Sequence, residues 1–189
     1  YKQQAGRAGR PRFDTVGDAI TIAKDSNQRD QIFYNYILAD TEPIYSKLGS
    51  QSALRMHLLS AVATRFVRSS EDMYRFIKST FYAYQTDEYA IKKEVDTAVE
   101  FLLENHLIEQ AYTEYISTLF GSRTSSLYID PLSAIQLKTA LERSNTRDTT
   151  SLSFLHAVCS TPDVRSLYLR GSDSWVEEKA DQVKHQLLL

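Results

Sequence analysis

"HLIEQAYTEYIST", residues 106–118, decides the fold. It gathers β-branched and aromatic residues into a run without glycine and so reads as a short, hairpin-like segment. What precedes it is helical in pattern. Leu54, Leu58, Val62 and Phe66 recur every four residues after the turn-like "LGS" (48–50), which marks one buried stripe. "SSED" (69–72) is a capping-box signature, and Met73, Phe76, Ile77, Phe81 and Tyr84 follow it at helical spacing. A third helix carries Ile91, Val95, Ala98, Val99 and Leu102 on one face and ends near Asn105.

Three helices and then a hairpin is the order of parts in a winged helix. Downstream the pattern is helical again. Asp130-Pro131 is an N-cap and first-turn proline opening "LSAIQLKTALER", and "DTTSLSFLHAV" (148–158) opens a helix stopped by "STPD" (160–163). "SWVE" (174–177) has the form of a capping box for a last helix. Upstream, Gly17-Asp18 punctuates the chain and "AITIA" (19–23) reads as one buried strand. The 189 residues, with only 6 glycines and 4 prolines, therefore predict a mainly α chain with a short strand or two.

Composition narrows the function classes. A hydrophobic content of 42% is enough to bury a core, and a formal charge of -2 supplies no global basic field, so any nucleic-acid contact must be local. No apolar run approaches the ~20 residues of a membrane span, and no signal-peptide pattern opens the chain, so an intracellular, cytoplasmic location is expected. His57, His106, His156 and His185 have no metal-ligand spacing, and no metal site is expected. Cys159, the single cysteine, stands with His156 on an apolar helix and reads as a core residue. Trp175 reads as a core anchor of the last helix.

The opening "QQAGRAGRPRFD" (3–14) has no such plain explanation. Arg7 and Arg10 are three residues apart, so on a helical turn both guanidinium groups leave one face. Gly6 and Gly9 repeat the spacing and let the backbone approach another surface closely. An arginine fork suits phosphate oxygens because its planar donors bind them in pairs. Gln3, Gly6, Arg7, Gly9 and Arg10 match Q-x-x-G-R-x-G-R, a pattern met by accident in roughly one chain in ten thousand of this length.

That pattern resembles motif VI of superfamily 2 helicases. The resemblance implies that Arg7 and Arg10 act as arginine fingers on ATP held by a first RecA-like domain, with Gln3 supporting the same interface. A longer resemblance, carried by "YKQQAGRAGRPRFD", "SKLGSQSALRMHLLS", "GSRTSSLYIDPLSA" and "SDSWVEEKA", is to archaeal Hjm-type DNA helicases, also called Hel three-oh-eight, of the Ski-two-like group. It implies a mainly α chain made of three parts. Residues 1–27 are the end of a second RecA-like motor domain, including its last strand. Residues 28–117 are a winged helix, and 118–189 are the start of a helical ratchet domain. Gln4 stands where most relatives are expected to have methionine. The chain starts without Met inside the motif and is expected to be a piece of a larger, monomeric enzyme. The resemblance further implies ATP and Mg bound mainly by a motor domain outside this chain, single-stranded and forked DNA as substrate, 3′ to 5′ movement, and a role in repair or restart of replication. Alone, the piece is expected to be inactive.

Two alternatives stay open: a non-enzymatic winged-helix DNA-binding or scaffold protein, and an RNA helicase of the Ski-two-like group. For DNA contact the candidates are Lys92, Lys93 and Arg123. Between Glu88 and Glu104 the two lysines face Glu88, Glu94, Asp96, Glu100 and Glu104, a balance of -3, which argues against a base-reading helix and for a packing platform. "GSRTSS" (121–126) has the composition of a phosphate-cradling loop without the spacing of one, and "FYAYQ" (81–85) could offer stacking faces but reads mainly as packing.

Overall fold

The computed structural model describes residues 1–9, 12–146 and 148–189. The chain forms two compact units, Tyr1–Ile44 and Tyr45–Leu189. The first holds a one-turn helix, α1 (Lys2–Ala5), and a second, α2 (Ser26–Ile32), whose N-cap Asp25 accepts the Gln28 N–H at 2.8 Å. A π-type turn over Phe33–Ile37 continues α2. Among its described residues none is buried. The strand expected over 19–23 does not form: the segment is irregular, with Ile20 87% and Ile22 90% exposed. A strand exists only beside a partner edge. The two strands among the described residues pair with each other, so this β-branched run has nothing to hydrogen-bond.

The second unit is mainly helical around a main core and a smaller one. Helix α3 (Gln51–Ala63) is N-capped by Ser50 and buries Leu54, Leu58, Leu59 and Val62. It stops in a Schellman turn, in which Arg65 takes φ +57° while the Phe66 N–H reaches Ala61 O (2.9 Å) and the Arg65 N–H reaches Val62 O (3.0 Å). Phe66, expected on the stripe, therefore leaves it and is 71% exposed, and Val67 fills the core instead. Helix α4 (Ser70–Lys78) begins with the expected capping box, in which Ser69 and Asp72 exchange side-chain and backbone bonds. It does not run on to Tyr84. The chain breaks at Ser79 and restarts as α5 (Phe81–Gln85), which turns Tyr82 into the core and leaves Phe81 and Tyr84 exposed, stacked at 6.2 Å.

Helix α6 (Glu88–Glu104), capped by Asp87, buries Ile91, Val95, Ala98, Val99 and Leu102 as expected. A second Schellman turn, with His106 at φ +53°, brings the Leu107 N–H to Leu102 O at 2.9 Å and seats Leu107 in the core. The hairpin then forms from β1 (Ile108–Ala111) and β2 (Glu114–Ser117), antiparallel with Ile108 opposite Ser117. The Tyr115 N–H donates to Arg68 O at 2.6 Å, tying the α3–α4 connection to the hairpin. This is the winged-helix order.

Helix α7 (Leu119–Leu127) starts on a Thr118 cap and occupies "GSRTSS", so that stretch is helix and not a loop. Gly121 explains its approach to the hairpin: a Cβ there would lie 1.9 Å from Leu107 O. Helix α8 (Pro131–Ser144) has the expected Asp130 cap and first-turn proline, and α9 (Ser151–Cys159) begins on a Thr150–Ser153 box. Cys159 is exposed, because α9 packs through Ser153 and Ala157 and Cys159 lies round the helix from both. Ahead of α10 (Trp175–Val183), the Asp173 carboxylate takes the Arg170 N–H at 2.8 Å, while Ser174 is already helical and caps nothing. Trp175 is exposed; the small core here is Ala140, Ala157 and Leu188. No helix among the described residues is long and apolar enough to cross a membrane.

Candidate functional site

The opening motif sits on a tight turn. After α1 the coil continues through Arg7 N–H to Gln4 O (3.1 Å) and Ala8 N–H to Ala5 O (3.0 Å), and Gly9 then swings to φ +78°. The returning chain crosses this turn at backbone contact: a Cβ on Gly17 would lie 2.3 Å from the Gly9 nitrogen and 2.4 Å from the Ala8 carbonyl carbon. Only glycine fits at that crossing. Gly17 had seemed mere punctuation in the sequence, yet it holds the turn that presents Arg7.

Arg7 is exposed and has no ion-pair partner among the described residues. Gln3, one helical turn earlier, lines a cleft of about 540 Å³ with Tyr1, Lys2, Asn35 and Tyr36, where the Lys2 ammonium donates to the Ala39 carbonyl. Gly6 is exposed at the end of α1. Arg10 lies outside the described residues. An exposed guanidinium on a braced turn can meet an anion brought to it from elsewhere, and it cannot by itself bind a nucleotide.

The expected DNA-facing residues are not brought together. Lys92 and Lys93 are exposed on α6, whereas Arg123, on α7, lines an apolar groove of about 460 Å³ between α7 and α8, to which neither lysine contributes. Three of the five acids of α6 bond to neighbouring elements. Glu88 takes the Lys78 ammonium at 2.5 Å, Glu94 accepts from Gln51, and Asp96 accepts from the Tyr74 hydroxyl. Burial first, then the bond to Asp96, pushes the Tyr74 phenol well above its usual range, and the Lys78 bond holds the Glu88 carboxyl below its own.

A third cluster had no signal beyond a helix cap. The Asp130 carboxylate, 2% exposed, accepts both the Leu132 N–H (2.9 Å) and the Arg55 guanidinium (3.1 and 3.2 Å). Arg55 also lies 4.6 Å over the Phe101 ring, and the Asp130 N–H donates to the Asp163 carboxylate at 3.0 Å. Four separated stretches, α3, α6, the start of α8 and the turn after α9, meet at one ion pair. Its Arg55 Nε has no partner among the described residues, so the pair is kept by its other bonds.

Residues 17–109 match a family model described as a helix-turn-helix domain. The chain is homologous to curated proteins named ATP-dependent DNA helicase Hel308. The relative from Methanocella arvoryzae is 48% identical over 96% of this chain and 25% of its own length. Those from Pyrococcus horikoshii (38% identical; 86% of this chain, 23% of the relative) and Pyrococcus abyssi (35%; 94% and 25%) align similarly. The chain thus spans about a quarter of the length of the curated relatives it matches.

Proposed function

We propose that this chain is the part of an ATP-dependent DNA helicase that carries the arginine fingers of the motor and the winged helix behind it. The observation that carries the reading is the Q-x-x-G-R-x-G-R motif, whose described residues 3–9 end in a turn braced by glycine-to-glycine contact, in a chain 48% identical to a protein named as a DNA helicase. In this reading residues 1–27 end the second RecA-like domain, 28–117 form the winged helix and 118–189 begin the ratchet domain. Gln3, Gly6 and Gly9 shape the turn, and Arg7 and Arg10 reach ATP bound by the other motor domain.

Their chemistry is electrostatic. Phosphoryl transfer spreads negative charge over the equatorial oxygens of the γ-phosphoryl, and guanidinium groups held ready for that charge lower the barrier without reorganising. The fingers arrive only when the two motor domains close, which couples nucleotide state to movement along a strand. The winged helix, with three acids of α6 bonded to its own neighbouring elements, holds the motor against the ratchet domain while single-stranded or forked DNA passes, in the 3′ to 5′ direction.

The test is DNA-stimulated ATP hydrolysis by the full-length protein, with Arg7→Ala and Arg10→Ala beside the wild type. Losing an arginine finger costs on the order of a thousandfold in turnover, with nucleotide affinity largely kept. Unchanged turnover in both variants would reduce the motif to a structural turn. Unwinding of matched RNA forks in preference to DNA forks would move the substrate from DNA to RNA.

A further inference from the structure

A polar cleft between the end of α3 and the hairpin is used by nothing described so far. It measures about 280 Å³ and is walled by Arg65, Arg68, Tyr115, Ser117 and Ser122. Arg65 occupies the left-handed position that ends α3, where glycine is the residue of least strain. Arg65 is exposed there and has no acid partner among the described residues. Arg68 stands three residues on, held beside β2 by the bond from the Tyr115 N–H, and its guanidinium is likewise without an ion pair there.

The rest of the wall is three hydroxyl side chains, the apolar Val62, Ala63 and Ile116, and Glu114. Ser117 and Ser122 bond each other at 2.8 Å, and the Tyr115 hydroxyl is engaged with Ser70 at 2.9 Å. Glu114 is the single acid of the lining, and it forms no ion pair with either arginine. Two arginines on the wall of one small cleft that also carries hydroxyl groups suit a tetrahedral phosphate. They offer no free aromatic face for a base, so the contact is to backbone and indifferent to sequence.

We propose that Arg65 and Arg68 grip a phosphodiester of a nucleic-acid strand, so that the winged helix meets nucleic acid at the foot of α3 and not through the acidic α6. This rests on the helicase reading only in that the parent must handle nucleic acid. The experiment is fluorescence anisotropy of the full-length protein on a labelled DNA fork, its duplex arm and its single-strand arm, across a series of KCl concentrations. The variants are Arg65→Gly, Arg68→Ala and Glu114→Gln.

Each arginine variant should weaken fork binding roughly fivefold at moderate salt and lower the slope of log affinity against log salt by about one. Glu114→Gln should tighten it. Arg65→Gly should melt no lower than wild type, because glycine relieves the left-handed residue, which separates lost binding from lost folding. The arm on which affinity falls identifies the strand held. Unchanged affinity and slope in both arginine variants, with wild type binding the fork, would overturn this site alone. Competition by inorganic phosphate as strong as by oligonucleotide would replace the strand by a free anion and overturn it as well. A wild type that binds no fork would overturn the helicase reading along with it.

Discussion

Residues 1–44 and 45–189 each contain helices, but they are held by different forces. In the first unit no described side chain is buried, and its form rests on backbone hydrogen bonds, an Asp25 cap and the contact of Gly9 with Gly17. In the second, Leu54, Leu58, Met73, Ile77, Val95 and Leu102 close a core of their own. A unit with its own core can be changed at its surface without losing its shape. A unit without one is shaped by a few backbone contacts, so single atoms there matter more to what it presents than to how stable the protein is.

Breaking the buried ion pair should give the largest loss of stability. Asp130→Asn leaves Arg55 charged and buried, and the cost is about 3–5 kcal/mol in denaturant unfolding. Adding Arg55→Met should recover much of that loss, and a double-mutant cycle reads the coupling directly. Next comes Leu58→Ala, which opens a cavity in the winged-helix core and costs about 2–5 kcal/mol. Its counterpart in the first unit, Ile22→Ser, should change the stability of the 189-residue chain by no more than about 0.5 kcal/mol, since Ile22 is exposed there. Equal losses at Leu58 and Ile22 would erase the contrast between the units.

The smallest effect concerns pH. The Arg68 backbone N–H first, then Ser69 and the charge of Arg75, hold the Asp72 carboxyl below its usual range. A carboxyl depressed in the folded state contributes stability above its unfolded pKa, and that contribution disappears as pH falls through the folded value. The α4 capping box should therefore loosen only in acid, below the ordinary carboxylate range. Asp72→Asn should flatten the acid limb of a stability-against-pH curve by lowering the neutral plateau slightly while leaving the acid end nearly unchanged.

The same contrast governs what could be read from residues alone. The four-residue spacing of Leu54, Leu58 and Val62, the Ser69–Asp72 box and the face of α6 were legible because those residues bury against one another. Phe66 departs from the stripe because the four-residue spacing runs in the sequence one residue past the left-handed stop at Arg65, a conformation that a non-glycine residue does not announce. Phe81 and Tyr84 failed for a similar reason, a helix break with no glycine or proline to mark it. "AITIA" carries a strand's composition without a strand's partner. In the candidate site the arginines were visible as a motif. Gly17 was not, since its role is a contact with residues eight and nine positions back. The Arg55–Asp130 pair joins positions 75 apart and has no local pattern.

The most direct test of the central claim, that the turn braced by Gly17 presents the proposed arginine finger Arg7, is Gly17→Ala in the full-length protein, with ATP turnover and thermal melting measured on the same preparation. The added Cβ must displace the turn bearing Arg7, and a displacement of about 1 Å can cost a hundredfold in rate. Turnover should fall by roughly that factor while the melting temperature stays within about 2 °C. Full turnover, or a loss of turnover that only follows a collapse in melting temperature, would contradict it.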